Sequence, residues 1–138
     1  VMETTEISVI ENEIHPSEDT DERLSIPEGC AVYEINGPYF FGIANKFEEL
    51  ESVLKAGHRP KVQIIRMRRV PFIDSTGIHN LTTLVEMNHE KGTEVILSGI
   101  TPKVQKQLLK ANFHKVLGSK NFCNNIDEAL HRAKELMA

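Results

Sequence analysis

The segment Ile64–Leu81, IIRMRRVPFIDSTGIHNL, holds the strongest structural signals of this 138-residue chain. It begins within an apolar run, Lys61–Met67, that predicts a short buried strand. It ends in the start of a helical stripe of apolar residues: Ile78, Leu81 and Val85. The segment therefore predicts a strand that turns sharply into a helix, with Asp74 or Ser75 capping the first helical turn.

Two strands and one helix are predicted upstream of this segment. Residues Glu6–Ile14 begin with alternating apolar and polar side chains, which predicts a short strand at the edge of a sheet. Cys30–Ile35 alternates over its whole length and predicts a second strand. An amphipathic helix follows, with apolar residues at helical spacing on one face: Ile43, Phe47, Leu50 and Leu54.

One strand and two helices are predicted downstream. Thr93–Ser98 is an apolar strand, and Thr101–Pro102 begins a helix with threonine as the cap and proline at the first helical position. The residues of this helix that are expected to face inward are Val104, Leu108 and Ala111. The last helix opens with the capping box Asn125–Glu128.

This alternation of strands and helices predicts an α/β fold. We expect a mixed, mostly parallel central sheet of about four to five strands, with about four to five helices mainly on one of its faces. The strand nearest the N-terminus makes the sheet mixed. Residues 1–25 are expected to be an acidic segment or linker that contains this edge strand, and residues 26–138 the folded domain.

Composition and charge narrow the classes of function. The net charge is −4, but eight of the 20 acids and one of the 16 bases lie in residues 1–25, which leaves 12 acids and 15 bases in residues 26–138. A mildly basic body, without tryptophan and with 6% aromatic residues, has neither the dense basic face nor the stacking platform of a nucleic-acid binder. The acidic segment is interpreted as a solvated connector.

Membrane spans, disulfide scaffolds and metal sites are not expected. The longest uncharged run, Ile35–Asn45, has 11 residues, against roughly 18 for a span. The two cysteines are far apart in sequence, and the six histidines form no motif with a suitable carboxylate. The acidic start is unlike a signal peptide, and the beginning Val1–Met2 indicates a fragment or an expression scar. The sequence thus predicts a soluble domain taken from a longer protein.

The turn Val70–Ile78 is the candidate site. The free N–H groups of the first helical turn point outward, and together with the helix dipole they favour an anion. The residues of this candidate phospho-switch or anion-binding loop are Asp74, Ser75, Thr76 and Gly77. The alternative is that the polar residues of this turn only cap a helix.

Known catalytic motifs do not fit this turn. Aspartic proteases use Asp-Thr/Ser-Gly, whereas an extra residue separates Asp74 from Gly77 here, and no second motif supplies the paired carboxylate. A nucleophile elbow of the form G-x-S-x-G is missing, as is a phosphate loop ending in Gly-Lys-Ser/Thr. We therefore expect no catalytic residue and no enzyme activity.

Three blocks of the chain resemble the STAS domain, the sulfate transporter and anti-sigma factor antagonist family. The blocks are VYEINGPYFFGIANKF (Val32–Phe47), IIRMRRVPFIDSTGIHNL (Ile64–Leu81) and VILSGITPKVQKQL (Val95–Leu108). The Gly-Pro followed by paired aromatics in the first block is similar to the cytoplasmic C-terminal STAS domains of SulP anion transporters. The resemblance implies a STAS-type fold.

The resemblance also implies a non-catalytic regulatory and interaction domain of a SulP-type sulfate or anion transporter, on the cytoplasmic side of the inner membrane. Its implied partners are the transporter's own membrane domain, a second subunit or another cytoplasmic protein, and no nucleic acid. The alternative is a free-standing anti-sigma factor antagonist. In those proteins a kinase phosphorylates the serine directly after the aspartate, which falls on Ser75 here, and the phosphate blocks partner binding.

A weaker implication of the resemblance is nucleotide binding near the same turn; no other cofactor is implied. The matching surface would combine Asp74–Ile78 with Gly99–Thr101. The residues assigned to this nucleotide or partner surface are Ile78, Gly99, Thr101 and Lys103.

Two further features leave alternatives open. Lys103, Lys106 and Lys110 share one helical face, which is a solvated polar face or a surface for anionic lipid head groups, a nucleotide or an acidic partner. The aromatic residues 39–41 cannot all point inward from a strand. Either one of them is exposed as a contact for another domain, or a turn brings them into the core. Arg66, at the end of a buried strand, is expected to pair with a carboxylate.

Overall fold

The computed structural model describes residues 6–10, 25–54 and 59–138. The strands are β1 (Glu6–Ile10), β2 (Cys30–Asn36), β3 (Val62–Arg69), β4 (Glu94–Ser98) and β5 (Phe122–Cys123). The helices are α1 (Ile43–Leu54), α2 (Ser75–Glu90), α3 (Pro102–Lys110), α4 (Phe113–Leu117) and α5 (Ile126–Met137), with a 3₁₀ turn at Ser119–Asn121.

The five strands form one sheet in the order β1-β2-β3-β4-β5. β1 lies at the edge and pairs antiparallel with β2, whereas all later neighbours pair in parallel. The predicted mixed, mostly parallel sheet is therefore confirmed, including the edge position of the first strand. The predicted connector in residues 1–25 lies outside the described residues apart from β1 and Ser25.

Alternation along the strands divides the core into two layers. Tyr33 and Ile35 of β2 point to one face, where α1 to α4 contribute the buried side chains Phe47, Leu81, Leu84, Val85, Val104, Leu108, Phe113 and Leu117. Cys30 and Val32 point to the other face, which α5 covers with Ile126, Ala129, Leu130 and Ala133. Four helices on one face and one on the other match the predicted arrangement.

Some elements differ from the sequence-based expectation. β3 continues through Arg68 and Arg69, two residues beyond the predicted run. α4, the 3₁₀ turn and the two-residue β5 were not predicted, because elements this short show no hydrophobic periodicity. Ala111 was expected to face inward but is exposed, because α3 ends at Lys110 and Ala111 is its C-cap.

The parallel strands give the sheet two edges of different construction. We call the edge where β2, β3 and β4 begin the amino edge, and the edge where they end, at Asn36, Arg69 and Ser98, the carboxyl edge. α2 and α3 begin in the loops that leave the carboxyl edge. None of the helices in the described ranges has the length and apolar character needed to span a membrane.

Candidate functional site

The first turn of α2 lies at the carboxyl edge, in the loop that follows β3. Asp74 is the N-cap, and its carboxylate Oδ1 accepts a hydrogen bond from the Gly77 backbone N–H at 2.7 Å. Asp74, Ser75 and Thr76 are exposed, whereas Gly77 is buried. Asp74 rather than Ser75 therefore caps the helix, and the Ser75 hydroxyl is accessible at the first helical position.

Gly77 lets the backbone of α2 pack directly on the preceding loop. A Cβ atom at this position would lie 2.8 Å from Cγ1 of Ile73 and 3.2 Å from Oδ1 of Asp74. Such a side chain would displace both the buried Ile73 and the carboxylate that caps the helix. The predicted close approach of the backbone at Gly77 is thus present.

The loop is also anchored from α3. The Ile73 backbone N–H donates to Oε1 of Gln107 at 3.0 Å. α3 in turn is capped by Thr101, whose hydroxyl accepts from the Val104 N–H at 3.3 Å. Gln107 was missed by sequence reasoning, because a single glutamine on a polar helix face gives no sign of a contact with a residue 34 positions away.

An open groove of about 380 Å³ runs between α2 and α3. Its lining residues are Ile73, Asp74, Ser75, Ile78, Gln107, Lys110 and Ala111. Three of the predicted site residues, Asp74, Ser75 and Ile78, therefore meet here, together with a lysine. Gly99, Thr101 and Lys103 do not line the groove.

Gly99 lies against the end of β3, and Lys103 lies against Phe72 in the loop that follows it. Gly99 has a positive φ of +67°, and a Cβ there would lie 3.3 Å from Cβ of Arg68. Lys103 Nζ lies 5.8 Å from the centre of the Phe72 ring, within the range of a cation–π contact. The residues predicted as one surface thus divide between the groove and the Phe72 side of the loop.

An exposed aromatic cluster adjoins Lys103. Of the three consecutive aromatics after Pro38, the structure buries only Phe40, at 2% exposure, and leaves Tyr39 41% and Phe41 76% exposed. The Tyr39 ring packs edge-on against Phe72, with 6.3 Å between ring centres. We call Tyr39, Phe41 and Phe72, with the three lysines of α3, the aromatic–lysine patch.

Arginines of β3 brace the carboxyl edge beside this patch. Arg68 Nε lies 2.6 Å and Arg69 Nε 3.5 Å from Oε1 of the buried Glu34. Arg66 is buried and stands in register with Glu34 on β2 and Ser98 on β4. The ion pairs with Glu34 thus involve Arg68 and Arg69, and a carboxylate partner for Arg66 stays a prediction.

The groups with shifted pKa values lie away from the exposed turn. Burial, followed by the charge of Glu51, raises the pKa of Tyr33 from 10.0 to about 12. Burial also raises the pKa of Glu51, against the opposing effect of Arg59. Burial raises the pKa of the Cys123 thiol, so this cysteine is held in its unreactive protonated form. Across the ranges that the structure describes, no three His, Cys, Asp or Glu side chains could share a metal ion.

Comparison with known proteins gives a family match and several relatives. The family model of the STAS domain matches residues 23–129. The chain is 31% identical over 110 residues to Sulfate transporter 1.2 of Arabidopsis thaliana, a match that covers 78% of this chain and 17% of that protein. The chain therefore spans about a sixth of the length of this curated relative.

Three of the matching solved structures are covered along most of their length. A sulfate transporter family protein of Wolinella succinogenes is 38% identical with a TM-score of 0.74, covering 88% of this chain and 98% of that one. The STAS domain of a SulP transporter of Vibrio cholerae is 33% identical with a TM-score of 0.73, covering 83% and 88%. An anti-sigma factor antagonist of Thermotoga maritima, 17% identical with a TM-score of 0.62 over 80% of this chain and 92% of its own, shares the fold.

Proposed function

This chain belongs to the STAS domain family, and we propose that it is the non-catalytic regulatory and interaction domain of a SulP-type anion transporter, on the cytoplasmic side of the membrane. The observation that carries the proposal is the chain's identity of more than 30% to a sulfate transporter, a sulfate transporter family protein and a SulP transporter domain. Identity to the Wolinella transporter family protein is 38%, more than twice the 17% to the Thermotoga antagonist.

The geometry of the carboxyl edge supports a role in contacts with other molecules. The Asp74 carboxylate is engaged in capping α2, so the exposed Ser75 hydroxyl stands beside a helix cap and not beside a free base. The exposed Tyr39 and Phe41 belong to the Gly-Pro-aromatic block that is similar to transporter STAS domains. Transport itself would be carried out by a membrane part, and this domain would modify it through its contacts.

The gene provides the first test. If this domain belongs to a transporter, the coding frame upstream of residue 1 should continue into about 10 or more apolar segments of helix length. A frame that starts immediately before this chain would contradict the transporter assignment.

The second test measures transport by the full-length protein. Deletion of residues 30–138 is expected to reduce anion uptake or assembly in vesicles. Replacement of both exposed aromatics, Tyr39→Ser with Phe41→Ser, is expected to change uptake at unchanged protein level. Glu135→Ser, an exposed position on α5, is the matched control. Normal uptake and assembly after the deletion would contradict a regulatory role.

A second candidate function is a serine phosphoswitch, as in anti-sigma factor antagonists. The exposed Ser75 at the first position of α2 favours it, since a phosphate there would meet the free N–H groups and the positive end of the helix dipole. Incubation with a cognate kinase is then expected to add one phosphate by intact-mass measurement. Ser75→Ala should abolish the addition, Thr76→Ala should keep it, and Ser75→Asp should abolish partner binding. Absence of the phosphate on the unmodified chain would contradict this candidate.

Weak nucleotide binding at Asp74–Ile78 with Gly99–Thr101 also stays a proposal. It is supported by the closeness of the loops that carry these residues, because Gly99 packs on Arg68 at the start of the loop that leads to Asp74. Equilibrium dialysis with a nucleoside triphosphate tests it, with Thr101→Val as the variant expected to weaken retention.

A further inference from the structure

We propose that the aromatic–lysine patch binds the surface of a membrane that contains anionic phospholipid. The proposal concerns only residues of this chain. It goes beyond the proposed function, because it requires neither a transporter nor a phosphorylated serine.

Large exposed hydrophobic side chains are confined to two segments of the described chain. In the described part of the chain, three large hydrophobic residues are exposed: Tyr39, Phe41 and Leu109. All three belong to the loop after β2 or to α3. Phe41 stands out of the surface at 76% exposure, while its buried neighbour Phe40 fixes the loop to the core. Exposed aromatic side chains are typical of protein segments that insert between lipid head groups at a membrane surface.

The charge of the patch comes from the lysines of α3, of which Lys103 contacts the Phe72 ring. α3 carries Lys103, Lys106 and Lys110 and no acidic residue, and all three lysines are exposed. None of them forms an ion pair with another residue that the structure describes, whereas Arg59, Lys91 and Arg132 on other elements are each paired with a glutamate. Cations without an acidic partner, on the helix face that carries Lys103, are attracted by the negative surface potential of anionic lipids.

The shape of the patch favours a bilayer over a protein partner. Phe41 lies between Gly37 and Gly42, whose φ values are +103° and +66°, so the loop turns back on itself and presents the ring outward. A rigid protein partner would need a pocket matched to this ring, whereas the head-group region of a bilayer deforms around it. A free phosphate could satisfy the lysines but would gain nothing from the aromatic rings.

The absence of tryptophan from the chain permits a direct experiment. The full 138-residue chain carrying Phe41→Trp has one tryptophan, which lies in the patch and can be excited selectively over the two tyrosines. Vesicles of phosphatidylcholine with about 30% phosphatidylglycerol are expected to shift its emission to the blue, and brominated acyl chains are expected to quench it. Pure phosphatidylcholine vesicles should have little effect. His131→Trp, at an exposed position of α5, is the matched control. Its emission should be neither shifted by anionic vesicles nor quenched by brominated acyl chains.

Vesicle sedimentation measures the charge contribution. Replacing the three patch lysines by glutamine, Lys103→Gln with Lys106→Gln and Lys110→Gln, should weaken binding by about 100-fold, since each cation near an anionic surface contributes about fivefold. Replacing Lys61, Lys120 and Lys134 by glutamine removes the same charge from exposed sites on other elements and should change binding by less than about threefold.

Four results would overturn the proposal. They are an unshifted Phe41→Trp spectrum with anionic vesicles, equal quenching of His131→Trp, equal loss of binding in the two lysine triples, and a shift that appears only when the vesicles contain a membrane protein. The last result would assign the patch to a protein partner. These outcomes are separate from the gene test of the transporter assignment, so either idea can fail without the other.

Discussion

The amino and carboxyl edges of the sheet gather the ends of the same three parallel strands, yet they are built differently. At the amino edge, neighbouring segments hydrogen-bond one another. The Lys61 N–H donates to the Gly29 carbonyl at 2.7 Å, the Glu94 N–H donates to the Lys61 carbonyl at 2.9 Å, and the Thr93 hydroxyl donates to the Pro60 carbonyl at 2.8 Å. At the carboxyl edge, backbone bonds of 3.2 Å join Gly37 to Arg69 and Gly99 to Cys123, and the loops beyond them expose side chains, among them Phe41 and Ser75.

The difference follows from the direction of the chain. In a parallel sheet, each helix begins after the carboxyl end of a strand, so its unbonded N–H groups collect at that edge. Backbone groups at the amino edge can be satisfied locally, which stabilises the domain but leaves little for a ligand to bind. The carboxyl edge is therefore where changes should alter contacts, and the amino edge where changes should alter stability alone.

The largest expected effect is a difference in unfolding free energy between alanine variants of two adjacent residues, Phe40 and Phe41, after the carboxyl end of β2. Phe40→Ala should lower the free energy of unfolding by about 3–5 kcal/mol, because it removes a ring that is fully enclosed in the larger core layer. Phe41→Ala should change it by less than about 0.5 kcal/mol, because that ring faces solvent. Urea denaturation measures both. Similar losses for the two variants would show that Phe41 is packed and that this edge is closed.

The two tyrosines of the chain provide the next comparison, since Tyr33 lies inside the core and Tyr39 at the carboxyl edge. The folded protein holds the Tyr33 proton more tightly than the unfolded chain, because burial raises the pKa to about 12. Stability is therefore unaffected below about pH 10, and the free energy of unfolding falls by up to about 3 kcal/mol as the pH rises through about 12.

Absorbance of the tyrosinate at high pH measures this titration. Tyr39→Phe leaves Tyr33 as the one remaining tyrosine. Its titration midpoint should then lie near 12 in the folded protein and near 10 in urea. A midpoint near 10 in the folded variant would show that Tyr33 is reached by water.

Prediction from sequence succeeded where a local pattern determines the structure. The alternation in β2 and the cap at Thr101 were sufficient to place a strand and a helix. The same capping chemistry narrowed the cap of α2 to Asp74 or Ser75, and the structure assigns it to Asp74. Each of these features depends on residues within a few positions of one another, so the sequence carries the full signal.

Prediction failed where contacts join distant segments. The hydrogen bond between Ile73 and Gln107 depends on how α3 packs beside α2, and no local pattern encodes it. The split of residues 39–41 into one buried and two exposed aromatics depends on the turn at Gly42, which the alternation rule could not resolve. The predicted site is divided between the groove and the Phe72 side because its two loops are distant in sequence, and their packing is not encoded locally.

Gln107 offers a smaller test of the carboxyl edge. Gln107→Leu removes the acceptor of the buried Ile73 N–H and should lower the free energy of unfolding by about 1.5 kcal/mol. Gln107→Glu retains an acceptor oxygen and should cost less. Gln105→Leu, at an exposed position on the same helix, is the matched control. Equal effects of the leucine variants would show that the loop before α2 does not depend on α3.

The smallest expected effect tests the amino edge. Thr93→Val preserves the shape of a buried side chain but removes its hydrogen bond to the Pro60 carbonyl, which should cost about 1 kcal/mol of unfolding free energy. Binding to vesicles, partners or a kinase should be unchanged, because this bond joins two residues of the amino edge and none of the carboxyl edge. Thr83→Val, which loses a bond of a half-buried threonine to the His79 carbonyl within α2, is the control and should cost less. If Thr93→Val altered binding as strongly as a change in the aromatic–lysine patch, the two edges would be coupled, and the division of stability from recognition would be wrong.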